Sequence, residues 1–164
     1  FSLPAAIVSE MIGLPKKDLT KSIDNLTILL ANEMLLYVKT RKFHWNISGN
    51  SFMELHKLFE GHYDLLAKTA DEVAERISAL GGKAIGSMQD FIKQGQIEEN
   101  TNSSNTQKQM LDELLSNHET VMVQIRKSID EVGEETDDVV TEDFLTGILK
   151  MHEDISWQLR KYSN

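Results

Sequence analysis

Four segments of this chain carry apolar residues at spacings of three and four, which place the side chains on one face of an α-helix. Only two prolines interrupt the 164 residues, and the composition offers little turn chemistry for a β-sheet. Each segment thus has one apolar stripe along its helix. The first stripe contains Ile23, Leu26, Leu30, Met34, Tyr37 and Val38, and the second contains Phe52, Leu55, Phe59, Leu66, Val73 and Ile77. The third contains Leu111, Leu114, Leu115, Met122, Ile125 and Ile129, and the fourth contains Val140, Phe144, Ile148, Met151, Ile155 and Leu159. The pattern predicts an all-α fold in which four helices bury their stripes together.

Capping patterns and glycines mark the predicted helix ends. Segments 51–54 and 106–109 match the capping box, in which a Ser or Thr and a Glu or Gln three residues later each bond the other's backbone N–H. Thr136 is the predicted N-cap of the fourth helix. Gly49, Gly81 and Gly133 follow the first three helices, as glycines that end helices do.

The second and third helices are predicted to be joined by a crossover over residues 83–105, with a short helix around Ser87–Lys93. Antiparallel neighbours in a bundle need only about two to eight connecting residues, so this segment is long enough to cross the bundle. We predict an N-terminal extension over residues 1–17 and one four-helix domain over residues 18–164, a size that one core can support.

Composition limits the ligands and the location of the protein. No cysteine is present, so a metal must be held by His, Asp and Glu, and a reducing cytoplasm is the expected location. We predict no membrane span, because no apolar run reaches about 18 residues. The opening FSLPAAIVSE lacks the basic start of a signal peptide. The net charge of -9 favours solubility or attraction of cations over contact with nucleic acid.

Metal-ligating residue types cluster between residues 44 and 75. His44 lies near the end of the first helix, His56 and Glu60 are four residues apart in the second, and Asp71 and Glu75 are four apart further along it. Each i, i+4 pair shares one helix face. His56 and Asp71 are about 22 Å apart along the helix at about 1.5 Å per residue, too far to share one ion within a subunit. If all these groups serve one site, two antiparallel copies of the second helix must meet across a two-fold axis.

The sequence also allows interpretations of the same residues that involve no iron centre. Asp71 and Glu75 are also a pattern typical of a solvated face, and Glu75 lies near Lys68 and Arg76, with which it could form an ion pair. Imidazoles with carboxylates suit Fe(II), but zinc accepts much the same ligands. The intrachain alternative in helix bundles uses Glu-x-x-His motifs, and none occurs here. Three further histidines lack partners at matching spacing and are predicted to be ordinary residues: His62, His118 and His152.

The segment KTRKFHWNISGNSFMELHKLFEGHYDLLAKTADEVAERISALGG, residues 39–82, closely resembles the signature of the Dps mini-ferritins. It combines His-Trp-Asn, a histidine twelve residues later, and Asp-Glu-x-Ala-Glu-Arg followed by Gly-Gly. The closing segment TEDFLTGILKMHEDISWQLRKY is similar to the family as well. The resemblance implies a ferritin-like four-helix bundle with a long crossover, assembled as a dodecamer around a mineral cavity.

The resemblance also implies a ferroxidase centre at the two-fold interface. His44 and His56 would bind iron from one subunit, and Asp71 and Glu75 from its partner, with Glu60 assisting directly or through water. Bound Fe(II) would be oxidised, preferably by hydrogen peroxide, and stored as Fe(III) oxide; no organic cofactor is expected.

The family also suggests roles for residues outside the ligand set. Trp45 resembles the family tryptophan that could trap a stray oxidising equivalent beside the centre, and a packing role is about equally compatible with the sequence. Asp138 and Asp143 match the region of acidic pores for iron entry, with Asp137 as a neighbour. Helix-dipole capping explains Asp137 and Asp138 almost as well.

Two functions of other classes remain as alternatives. The first is DNA binding and compaction with secondary iron chemistry, against which the neutral visible N-terminus and a C-terminus with only Arg160 and Lys161 argue. Because the sequence begins at Phe1, a basic segment upstream would keep that alternative open. The second is a helical oligomer without metal, in which changes to Asp71 and Glu75 would alter stability alone.

Overall fold

A computed structural model describes residues 12–163 of the chain. The long helices are α1 (Lys16–Asn46), α2 (Phe52–Ala79), α4 (Gln107–Glu135) and α5 (Val139–Ser163), and α3 (Met88–Gln94) is a short helix in the connection. No β-strand occurs over residues 12–163, which confirms the all-α prediction and the short connecting helix. Helix α1 begins two residues before the predicted domain boundary, and residues 1–11 of the predicted extension lie outside the described part.

Side-chain contacts fix the directions of the four long helices. Along α1, Asn25 bonds Glu131 and Lys39 bonds Asn117, so α4 runs antiparallel to α1. Helix α1 also packs against α2, which returns antiparallel after a short loop, and α4 packs against α5. Helices α2 and α4 therefore run in the same direction. The segment between them must travel the length of the bundle, which is the predicted crossover.

Apolar side chains from all four long helices fill the centre of the bundle. Fully burying one such side chain stabilises the fold by about 1.5–3 kcal/mol. The largest of those that are completely buried are Phe43, Phe59, Leu26, Leu36, Leu55, Leu66, Ile77, Leu80, Met110, Leu114, Ile125 and Leu145. Three residues of the predicted stripes are instead exposed: Val38 on α1 at 45%, Phe52 at the start of α2 at 38% and Val140 in the first turn of α5 at 58%.

The helix ends agree with the predictions in part. Thr106 and Gln109 form the complete capping box at the start of α4. Ser51 is the N-cap of α2 but makes no side-chain capping bond, so the first predicted capping box is wrong. The prediction of Thr136 as the N-cap of α5 is also wrong, because Thr136 is the C-cap of α4 and it is Asp138 whose carboxylate accepts from the backbone N–H of Thr141 in the first turn of α5.

Candidate metal centre

His44 and His56 face each other where α1 ends and α2 begins. Nδ1 of His44 lies 2.6 Å from the carbonyl oxygen of His56, and Nδ1 of His56 lies 2.9 Å from the carbonyl oxygen of His44. A carbonyl can only accept, so both Nδ1 atoms carry hydrogen and donate. In the neutral rings this leaves the lone pair on both Nε2 atoms, the tautomer that binds a metal.

Aromatic neighbours hold the two imidazoles in place. The rings of His44 and His56 are stacked with centroids 3.8 Å apart, and Phe52 stacks on the outer face of His56 at 5.0 Å. The ring of Tyr63 meets His44 edge-on at 5.1 Å. The loop between the helices turns at Gly49, whose φ of 107° is rarely adopted by other residues. The short turn and the ring stack together bring two residues twelve apart in sequence into one pair.

Asp71 and Glu75 lie exposed on α2, one turn apart. A hydrogen bond with Asp71, repulsion from that carboxylate, partial desolvation and repulsion from Glu72 all raise the pKa of Glu75. The surface ion pairs considered from the sequence do not form, because Lys68 pairs with Glu72 and Arg76 pairs with Asp138. The two carboxylates therefore repel each other with no cation paired to Glu75 within residues 12–163, an arrangement that a bound cation would relieve.

The two halves of the predicted ligand set do not meet within one chain. His56 and Asp71 lie on the single continuous helix α2, so the separation of about 22 Å holds. Across residues 12–163, no three His, Asp or Glu side chains are grouped so that they could bind one metal ion. A single subunit thus offers a pair of imidazoles at one place and a pair of carboxylates at another.

Glu60 and Trp45 lie beside the histidine pair. Glu60 is exposed one turn after His56 on the same helix. Trp45 is 63% exposed, and the guanidinium of Arg41 lies 5.3 Å from its ring and 4.3 Å from the ring of Tyr63. An indole with this exposure contributes little to the core of the subunit, so the packing alternative receives no support from the single chain.

Comparison with known proteins identifies the family. A family model for the ferritin-like domain matches residues 23–164. The chain is 34% identical to the DNA protection during starvation protein of Porphyromonas gingivalis over 159 residues, 95% of this chain and 97% of that protein. This chain belongs to the ferritin-like Dps family. It is also 38% identical to an uncharacterised low temperature-induced protein of a Nostoc species over 151 residues, 92% of this chain and 84% of that protein.

Solved Dps structures share the fold of this chain. The Dps protein of Vibrio cholerae superposes with a TM-score of 0.90 at 31% identity and covers 100% of both chains; its name places it in a broad superfamily of ferritin-like diiron-carboxylate proteins. Dps of Staphylococcus aureus superposes with a TM-score of 0.83 at 29% identity, over 87% of this chain and 95% of that one. None of the helices within residues 12–163 has the length and apolar character that crossing a membrane requires.

The two acidic residues that the Dps resemblance suggested for a pore differ in burial. Asp138 is 3% exposed and caps α5: it accepts from the hydroxyls of Ser22 and Thr141, the backbone N–H of Thr141 and the guanidinium of Arg76. Burial raises the pKa of Asp138, but these hydrogen bonds and the charge of Arg76 outweigh it and lower the pKa overall. Within the subunit Asp138 is therefore a structural cap. Asp143 is exposed on α5, and its pore role stays a prediction.

One polar cluster was missed by sequence reasoning. Glu33, His118 and His152 are buried together in the core of the bundle, joined by hydrogen bonds, and His62 bonds Gln158 nearby. These histidines have no partner at helical spacing, as expected from the sequence, but each has a partner on another helix. Glu33 and His152 are 119 residues apart, so no spacing rule within one helix could reveal the contact.

Proposed function

We propose that this Dps-family protein oxidises Fe(II) at centres shared between two subunits and stores the Fe(III) product in a closed cage. The observation that carries the proposal is the His44–His56 pair, whose two Nδ1–H groups are bound to carbonyls while both Nε2 lone pairs remain for a metal. The partner subunit's Asp71 and Glu75 would complete the ligand set, with Glu60 beside them.

The exposed surface of α2 supports the two-fold arrangement. If His56 meets Asp71 or Glu75 of the partner subunit, the two-fold axis crosses α2 between residues 63 and 66, halfway between the two groups. Leu65 lies there and is 43% exposed, and Gly61 leaves open space beside it. An exposed apolar side chain next to a small residue favours close approach of a second copy of the helix.

In the proposed reaction one hydrogen peroxide accepts one electron from each of two Fe(II) ions. The O–O bond breaks, two protons are taken up, and both oxygens leave as water, so that no hydroxyl radical is released. Hydrolysis of the Fe(III) product then returns protons to solvent as the oxide forms. The carboxylate pair attracts the cation, and the fixed imidazoles hold it in place. We expect peroxide to be preferred over oxygen, the assembly to contain twelve subunits, and the protein to act in the cytoplasm.

The test is oxidation of Fe(II) under anaerobic conditions on addition of peroxide, followed through Fe(III) absorbance. The variant Asp71→Ala with Glu75→Ala should still assemble but should oxidise Fe(II) at least tenfold more slowly, because half of the ligand set is gone. Glu119→Ala with Asp130→Ala removes two exposed carboxylates from α4 and is the matched control. Equal oxidation rates in the site variant and the control would show that Asp71 and Glu75 are not ligands of the centre. Repeating the assay with oxygen in place of peroxide tests the oxidant preference.

Trp45 is proposed to supply an electron when only one Fe(II) is bound, because its indole lies next to His44 in the chain and is exposed. Replacing Trp45 with Phe keeps an aromatic ring and removes the readily oxidised indole. Spin trapping during peroxide addition should detect more radicals from the variant than from the native protein. Unchanged trapping would reject the role.

DNA binding is the alternative suggested by the name of the relatives, DNA protection during starvation protein. The net charge of -9 predicts that this chain does not retard DNA at physiological salt. A gel-shift series at increasing salt tests this, and retention that weakens steeply with salt would support the alternative.

A further inference from the structure

Three buried side chains in contact with one another link three helices of the bundle. None of them belongs to the candidate metal centre. Glu33 of α1 contacts Nε2 of His152 in α5 through Oε1, and Nδ1 of His152 lies 2.8 Å from Nδ1 of His118 in α4. The three residues are 0%, 0% and 1% exposed. The contacts form a line from Glu33 through His152 to His118, with His152 using both of its ring nitrogens.

The line fixes where protons can be. Two imidazole nitrogens hydrogen bond only if one of them carries a hydrogen, so one proton lies between His118 and His152. One more proton lies between His152 and Glu33. When each of these two hydrogen bonds contains one proton, Nε2 of His118 is the only remaining nitrogen of the line that can gain or lose a hydrogen. The three side chains together therefore have an anionic form and a neutral form that differ by one proton.

We propose that Glu33, His152 and His118 form a buried relay that binds one proton. The proton forms a bond to Nε2 of His118, the hydrogen on Nδ1 of His118 passes to Nδ1 of His152, and the hydrogen on Nε2 of His152 passes to Oε1 of Glu33. Three bonds to hydrogen form and two break, so the net change is one proton. The proton enters at one end of the line, and the charge is neutralised at the other.

Burial explains why the charge is neutralised at Glu33. Its second oxygen, Oε2, is buried and has no hydrogen-bond partner among residues 12–163, and an ionised carboxylate in that position is costly. Positive charge does not stay on His118, because burial, His152 and His62 all lower the pKa of His118. The neutral form, with a carboxylic acid and two neutral imidazoles, therefore has the lowest charge at every position in the line.

His62 is close enough to act on His118, and its Nδ1 is buried without a hydrogen-bond partner among the described residues. From α2, His62 bonds the side chain of Gln158 through Nε2. From α1, Lys39 forms an ion pair with Glu113 of α4 at 2.7 Å, which compensates its charge. The relay consequently makes the core sensitive to pH: loss of its proton leaves a buried anion, and a second proton would leave a buried cation.

Infrared difference spectra of the assembled protein across a pH titration test the relay, because the C=O stretch of a protonated carboxyl is distinct from the carboxylate bands. In the native protein the carboxyl band and an imidazole band should titrate together at a single midpoint. Two separate midpoints would overturn the proposal without the need for any variant. Metal analysis should find no ion bound to His118 and His152, and an ion retained there in equimolar amount would also overturn it.

Variants identify the groups that titrate. Glu33→Gln should abolish the carboxyl band. His118→Gln should move the midpoint of the carboxyl band by more than His62→Gln does, because His118 binds the added proton in the native line and His62 lies outside it. Equal midpoints in these two variants would show that Glu33 titrates independently of His118 and would reject the relay.

Discussion

Replacing Asp138 with Asn tests the assignment of this residue as a structural cap. Oδ2 of Asp138 accepts from the hydroxyls of Ser22 at 2.7 Å and Thr141 at 2.6 Å, and an amide nitrogen in that place cannot accept. Oδ1 accepts from the backbone of Thr141 and from Arg76, and an Asn oxygen can still do so. Since Asn is about as good an N-cap as Asp, the cost comes from the two hydrogen bonds to a charged acceptor, about 3 kcal/mol in total.

The assay is guanidinium unfolding at fixed protomer concentration, since an oligomer's stability depends on concentration. Because the folded-state pKa of Asp138 is lowered, its stabilisation is fully present above the ordinary Asp pKa and is lost as the pH falls through the folded value. The difference between Asp138→Asn and the native protein should therefore shrink in acid. Asp143→Asn, on the exposed face of α5, is the control and should change stability by less than about 0.5 kcal/mol. A cost for Asp138→Asn equal to that of Asp143→Asn, or one unchanged in acid, would refute the capping role.

Two further predictions concern the metal centre. Because Asp71 raises the pKa of Glu75, protons compete with a bound cation at a higher pH than at an ordinary Glu, and Fe(II) affinity should fall as the pH drops through the raised value; calorimetry in buffers of different ionisation heat should detect proton release over that pH range, and no proton release anywhere in it would contradict the prediction. Gly49→Ala should destabilise the fold by about 1–3 kcal/mol, because its φ of 107° is strained for alanine and the new Cβ would lie 2.9 Å from Nε2 of Gln107; thermal unfolding with an unshifted midpoint would contradict that estimate.

Residue spacing was sufficient to predict the fold and to show that the two pairs of candidate ligands lie far apart in one subunit. The stripes of apolar residues are governed by local helix geometry, so the amino-acid sequence alone indicates the four long helices and the crossover. The distance between His56 and Asp71 likewise follows from the rise of one helix. What spacing could not provide is the state of the imidazoles, because the carbonyls that bind Nδ1 of His44 and His56 come from the opposite helix.

The surroundings of the buried polar residues could not be predicted for the same physical reason. The Dps resemblance suggested a pore role for Asp138, and no spacing rule predicts its contacts with Ser22, 116 residues away, and Arg76, 62 residues away. The line from Glu33 to His118 was overlooked because its members lie on three helices. Contacts between distant segments depend on how the bundle packs, and helix periodicity carries no information about them.

The sharing of the centre between subunits is tested most directly by mixing two inactive variants. One carries His44→Ala with His56→Ala, and the other carries Asp71→Ala with Glu75→Ala. In a mixed two-fold dimer, one centre loses all four ligands and the other retains all four. Random reassembly in equal amounts should therefore restore roughly a quarter of the native Fe(II) oxidation, although each variant alone is inactive. A mixture no more active than its two components, with mixed assemblies shown to be present, would contradict a centre shared across the two-fold axis.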